Sequence, residues 1–129
     1  MILNQKIGVV IPCYKGGEIT KKIVRETLQY ADVVVLVDDD CPLKTGRKIL
    51  MEVKNPNLAV LFNSMNRGVG YSTKKGINFL IEKSCDLILK LDADGQLDPR
   101  EINRMCQPVI QEKYEASKGN RFGNVENTL

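Results

Sequence analysis

Four short apolar runs, each followed by a polar strand end, constrain this chain more than any other feature. They are IGVVIPCY (Ile7 to Tyr14), VVVLV (Val33 to Val37), LAVLF (Leu58 to Phe62) and DLILKL (Asp86 to Leu91). Runs of this length without polar alternation read as strands buried on both faces, and Pro12 is expected to stop the first. After Gly16-Gly17, Ile19, Ile23, Val24 and Thr27-Leu28 recur at helical spacing opposite Lys21, Lys22, Arg25 and Glu26, which predicts a helix over 18–30. Further helices are expected over 45–53, closed by Asn55-Pro56, and over about 71–83. Another is expected over 99–113, bent or interrupted at Pro108. Residues 116–122 begin a strand or loop, and the final GNRFGNVENTL carries no closing element. Strands alternating with helices require crossover connections. The expected fold class is therefore α/β: a mostly parallel sheet with helices on both faces, in a single domain over 1–129.

The 129 residues are enough to enclose a core, and 43% hydrophobic with 27% charged residues is ordinary for a soluble domain. A net charge of +3 with no Trp, three Phe and four Tyr gives neither the basic surface nor the stacking platforms that nucleic acid needs. No apolar run approaches the roughly 18 residues of a membrane helix, and no signal peptide opens the chain. Cys13, Cys41, Cys85 and Cys106 follow no CxxC spacing and read as buried, reduced thiols of a cytoplasmic protein. There is no histidine. That removes Ser-His-Asp and Cys-His hydrolases, imidazole metal sites and histidine acid–base catalysis.

In a parallel sheet, ligands bind outside the carboxyl ends of the strands. Pro12-Cys13-Tyr14, Asp38-Asp39-Asp40, Asn66-Arg67-Gly68 and Asp92-Ala93-Asp94 follow the four runs in turn, so four strand ends bring acids, amides and an arginine to one rim. Asp92 and Asp94, two positions apart, suit a shared Mg²⁺ or Mn²⁺ that takes oxygen ligands and bridges phosphates. The plainer alternative is a chain reversal at Asp92 and a β-turn at Asp94-Gly95. Asp98-Pro99-Arg100-Glu101 fits an N-cap, a proline at the first helical position and a glutamate at the third, so Asp98 is expected to be structural.

Three adjacent aspartates at 38–40 repel one another unless donors or cations satisfy them. Ligand contact is expected of Asp38 or Asp39, and solvent for Asp40; a solvated loop is the alternative. NRGVG at 66–70 opens a helix whose free amides favour an anion, or it is simply a loop that needs glycine. Lys118 and Arg121 are either surface cations or partners for a diphosphate or phospholipid headgroup.

Taken in order, VVIPCYK, VDDDCP, NRGVGYSTKKG and KLDADGQLDP resemble the family 2 glycosyltransferases with a Rossmann-like GT-A fold, over about Ile7 to Pro99. The terminal KGNRF is similar to a segment of the polyprenyl-phosphate sugar transferases. The resemblance implies a nucleotide-diphosphate sugar donor, UDP- or GDP-linked. It implies an acceptor that is a polyprenyl phosphate or a cell-envelope glycan, a Mg²⁺ or Mn²⁺ cofactor, and inverting transfer. By position it implies that Pro12 and Tyr14 line the base pocket and that Asp39, with Asp38 nearby, holds the uracil or ribose. Asn66, Arg67 and Gly68 would contact base and phosphate, Asp92 the ribose and diphosphate side, Asp94 the metal, and Arg121 a phosphate.

Two departures shape the expectation. Asp40 and Cys41 stand where the family usually has glycine and serine. The chain also ends before the acceptor segment that supplies the catalytic base, and without the C-terminal membrane helices of the polyprenyl-phosphate subgroup. The expectation is a donor-binding part truncated at its C-terminus, poorly active or inactive alone, from a protein associated with the cytoplasmic face of a membrane. The competing readings are a sugar-phosphate nucleotidyltransferase, which would carry a Gly-rich loop after the first strand, and a receiver-like or otherwise non-catalytic nucleotide-binding module.

Overall fold

The computed structural model describes residues 5–94, 98–102, 104, 117–119 and 125–127. Four parallel strands, β1 (Ile7–Cys13), β2 (Val33–Asp38), β3 (Leu58–Phe62) and β4 (Leu87–Lys90), form one sheet in the order β3-β2-β1-β4. The chain walks outward from β1 to β3, then returns across the sheet to place β4 on the other side of β1. The order of strands therefore reverses at β1 and β4, where this class of sheet opens a ligand crevice.

The connecting helices are α1 (Gly17–Thr27), α2 (Thr45–Glu52) and α3 (Val69–Glu82). On α1 the buried residues are Thr20, Ile23, Val24 and Thr27, spaced i, i+3, i+4 and i+7, and they pack with Ile49 of α2 on one sheet face. That face carries Ile7, Val9 and Ile11 of β1, Val34 and Leu36 of β2, and Leu87 and Leu89 of β4. The opposite face carries Val10, Val35 and Val37 under Leu80 of α3. Gly76 lets α3 lie close, since a Cβ there would meet Val10 Cγ2 at 2.2 Å. Each fully buried Val, Leu or Ile contributes roughly 1.5–3 kcal/mol, so both faces of the sheet hold it together.

Two expectations change here. Pro12 does not stop β1; it pairs in register with Val37, and Cys13 pairs with Asp38. The reason is strand parity. Leu91 N–H donates to Val10 O on the β4 side, and Asp39 N–H to Cys13 O on the β2 side, at 3.0 Å each. Pro12 shares the parity of Val10, so its nitrogen faces the side where β4 has already ended, and no ladder hydrogen bond is lost. Ile19, expected in the core stripe, is 47% exposed, and Thr20 is buried in its place.

After β4, Asp98 caps a 3-10 turn (Pro99–Glu101), accepting the Arg100 N–H at 2.9 Å as expected of a structural acid. Glu101 does not reach back to complete a capping box; it binds Arg104 Nε instead. Ile102 and Arg104 are helical, and the remainder of the expected 99–113 helix, including Pro108, lies outside the described residues. β5 (Ser117–Gly119) and β6 (Val125–Asn127) pair antiparallel, so the final stretch does contribute a strand.

Candidate functional site

The carboxyl ends of β1 and β4 part into a cleft of about 300 Å³. Pro12, Tyr14, Lys15 and Gly16 form one wall, and Asp92, Ala93 and Asp94 form the other. Tyr14 is 48% exposed, with Lys15 Nζ 5.5 Å from its ring centre. Asp92 and Asp94 stand exposed after the buried Leu91, and Asp92 Oδ1 lies 3.7 Å from Lys90 Nζ. The Asp92–Asp94 turn is fixed from behind, because Thr20 Oγ1 donates to Ala93 O at 3.2 Å. Two accessible carboxylates two positions apart are hard oxygen donors of the kind Mg²⁺ and Mn²⁺ accept. Among the described residues no three His, Cys, Asp or Glu converge, so a cation here would complete its shell with water and ligand oxygens.

Asp38 and Asp39 do not face that pair across an open rim. They are 3% and 4% exposed, and their partners are mostly backbone amides. Asp38 Oδ1 accepts Cys41 N–H and Oδ2 accepts Gly46 N–H, both at 2.7 Å. It thereby caps the first turn of α2, whose preceding Lys44 offers no side-chain cap. Gly46 is required by this contact, since a Cβ would meet Asp38 Oδ2 at 2.5 Å. Asp40 is exposed with a φ of 56°, in the solvent as expected.

Asp39 organises the Asn66-Arg67-Gly68 loop. Its Oδ1 accepts Arg67 N–H at 2.7 Å and Asn63 Nδ2 at 2.8 Å, and its Oδ2 accepts Gly68 N–H at 2.8 Å. Burial pushes its pKa up, but the donors from Arg67, Asn63 and Gly68 outweigh that and the net shift is downward. The repulsion expected of the triplet is thus relieved by donors. Gly68 sits at φ 95° and ψ 165°, a region open essentially to glycine alone. Asn66 and Arg67 are exposed beside it, and the Arg67 guanidinium lies 5.3 Å from the centre of the Tyr71 ring. Arg121 lies outside the described residues.

Asn63, Ser72 and Lys75 complete this network and were not among the expected site residues. Asn63 Nδ2 also donates to Ser72 Oγ at 2.9 Å, and Lys75 Nζ donates to Asn63 Oδ1 at 3.1 Å and Phe62 O at 2.9 Å. Asn63 follows β3 directly, so the rule that polar residues at strand ends build the site would have found it.

Two thiols, Cys13 at the end of β1 and Cys41 in the loop after β2, are buried close to these strand ends. Burial pushes Cys13 up to about 11, although hydrogen bonds with the Gly16 backbone and Thr20 work the other way. Burial also raises Cys41, but its contacts with Thr45 and the neighbouring backbone prevail and leave it lowered. Both are buried free thiols, as expected, while Cys85 is half-buried and Cys106 lies outside the described residues.

Other hollows lie off this cleft. One of about 370 Å³ at the ends of β2 and β3 includes Asp40, Lys44, Arg47 and Phe62. A larger one of about 580 Å³ lies between α1 and the Pro99 turn and shares Ile19 with the cleft, and its Asp98 and Arg100 satisfy each other at 2.6 Å.

The four-stranded parallel sheet, with acidic turns after β2 and β4, is the α/β class expected of a GT-A domain. The chain belongs to glycosyl transferase family 2, whose profile matches residues 8–129. An uncharacterized protein of Methanocaldococcus jannaschii is 30% identical over 94% of this chain and 49% of its own length. UDP-N-acetylglucosamine–dolichyl-phosphate N-acetylglucosaminyltransferase of Methanococcus voltae is 28% identical over 94% of this chain and 54% of its own length. The chain therefore spans about half the length of these curated relatives. The crystal structure of S. aureus TarS 1–349 shares the fold, with a TM-score of 0.60 and 22% identity over 83% of this chain and 32% of that one. Among the described residues, no helix is long and apolar enough to cross a membrane.

Proposed function

We propose that this chain binds the nucleotide-diphosphate sugar of a metal-dependent, inverting glycosyltransferase whose acceptor is a polyprenyl phosphate. The observation that carries the reading is the cleft at the β1–β4 reversal, with Tyr14 on one wall and Asp92 and Asp94 on the other. The relatives support the lipid acceptor by name, since one is a dolichyl-phosphate transferase with a UDP-linked sugar and another an undecaprenyl-phosphate mannosyltransferase of Micrococcus luteus. A lipid-linked acceptor would put the reaction at the cytoplasmic surface of a membrane.

In this reading Pro12 and Tyr14 hold the base, with Asp39 at its buried edge. Arg67 and Asn66, in the loop whose Arg67 and Gly68 N–H groups donate to Asp39, reach base and phosphate. Asp38 acts through the loop it ties down. Asp92 turns toward the ribose and diphosphate, and Asp94, with Asp92, holds Mg²⁺ or Mn²⁺. That ion would neutralise charge developing on the leaving diphosphate. Arg121 is assigned a phosphate contact. A phosphate acceptor is already ionised and makes little demand on a general base.

Calorimetry with UDP, GDP and MnCl₂ tests the reading. Metal-dependent binding of one nucleotide, abolished in Asp94→Ala, is the expected result. Absence of metal-dependent binding, or binding indifferent to Asp94→Ala, overturns the assignment.

A further inference from the structure

The wall of the cleft contributed by Tyr14, Lys15 and Gly16 is held from a distant loop as well as by the Gly16 backbone contact with the Cys13 thiol. Lys15 adopts a φ of 60° and Gly17 a φ of 65°, so the chain reverses through two left-handed residues within three positions. Lysine rarely enters that region, and something must hold it there. The amides on either side of Gly16 are both taken by side chains from the far loop. Lys15 N–H donates to Cys41 Sγ, and Gly17 N–H donates to Thr45 Oγ1, each at 3.1 Å. Cys41 Sγ and Thr45 Oγ1 are themselves 3.3 Å apart, and both residues are almost fully buried at 3% and 2% exposure. Behind them, Asp38 fixes the Cys41 and Gly46 amides.

We infer that Cys41 and Thr45 are positioning residues for the nucleotide cleft. They transmit the geometry of the β2–α2 loop to the β1–α1 loop and hold Tyr14 and Lys15 at the separation from Asp92 and Asp94 that a nucleoside diphosphate requires. Neither side chain borders the cleft, so neither touches the ligand. Asp38 acts in the same relay one step further back. The inference rests on the donor-site reading above and adds the residues that give the cleft its width.

The test pairs two readouts on the whole chain. Amide hydrogen exchange by NMR follows Lys15 and Gly17, and calorimetry with MnCl₂ follows UDP or GDP, whichever binds the unaltered chain. Cys41→Ala is expected to speed exchange at Lys15, and Thr45→Val at Gly17. Each is expected to weaken nucleotide binding about tenfold, and the double variant by less than the product of the two. Cys41→Ser, which keeps an acceptor, restores both readouts. Ile49→Val, a core trim on the same helix, lowers thermal stability without moving either. Unchanged exchange overturns the relay, as does faster exchange with undiminished affinity. An affinity loss that Ile49→Val also shows at equal loss of stability overturns it as well. If the unaltered chain binds neither nucleotide, the donor reading fails and the positioning role falls with it. If it binds and the variants match it, only the positioning role falls.

Discussion

Asp39 Oδ2 accepts the Gly68 N–H at 2.8 Å, so an acid at the end of β2 sets the backbone of the loop that opens α3. The sequence places these residues almost thirty positions apart, and the parallel ladder from β2 to β3 brings them together. The carboxylate is thus first a fastener of the site and only then a candidate for ligand contact.

Removing that fastener has a measurable cost. Asp39→Ala leaves the Asn63 amide and the Arg67 and Gly68 N–H groups without their acceptor. Urea denaturation is expected to show a loss of about 2–3 kcal/mol. Amide exchange at Arg67 and Gly68 accelerates in the same variant, and a loss below about 0.5 kcal/mol contradicts the account.

The same group gives a pH signature. The folded pKa of Asp39 is depressed below its ordinary 3.8, so its contribution is fully present above that value and lost as pH falls through the folded pKa. Carbon-13 titration of the carboxyl is expected to give a midpoint below 3.8. Asp39→Asn starts less stable at neutral pH and loses less on acidification to about pH 2; equal acid sensitivity in the two proteins counts against it.

Two glycines two positions apart are expected to respond oppositely. At Gly68 a Cβ meets nothing within 4 Å, yet φ is 95°, so Gly68→Ala costs roughly 1–3 kcal/mol through backbone strain alone. At Gly70, inside the first turn of α3, a Cβ also meets nothing within 4 Å, and φ is not positive. There alanine is expected to be neutral or to stabilise by up to about 1 kcal/mol. Paired thermal melts decide the matter, and similar shifts in both refute the conformational argument.

Gly76→Ala tests packing instead of strain. A Cβ at 2.2 Å from Val10 Cγ2 forces α3 away from the sheet, at a cost of about 1–3 kcal/mol. Adding Val10→Ala makes room and is expected to recover part of the loss, as a double-mutant cycle shows. Strict additivity of the two changes excludes the contact as its cause.

Much of the fold was legible because burial on both faces leaves unbroken apolar runs, as in β1 and β2; the bounds of LAVLF at Leu58 and Phe62 also agree with β3, although that edge strand is only partly buried. Helix ends were less so: α3 starts at Val69, two residues before the periodic pattern becomes visible, because a glycine conformation and an acid from another strand begin it. Aspartates at 38–40 advertised a polar strand end but not their use. Their partners, the amides of Cys41, Gly46, Arg67 and Gly68, are backbone groups that no residue type reveals. In the sequence Thr45 marks only the start of a helix, and Asn63 only the residue after an apolar run. Their roles depend on which loops the strand order brings side by side.

Pro12 has a consequence for the cleft itself. Two parallel strands ordinarily invite one another to continue, and a gap between their ends is a gap that ladder bonds can close. At Val10 and Lys90 the zip stops, and the next tooth on the β1 side that would face β4 is a nitrogen without a hydrogen. The opening between Tyr14 and Asp92 therefore begins at a position where β1 has no hydrogen to offer its neighbour.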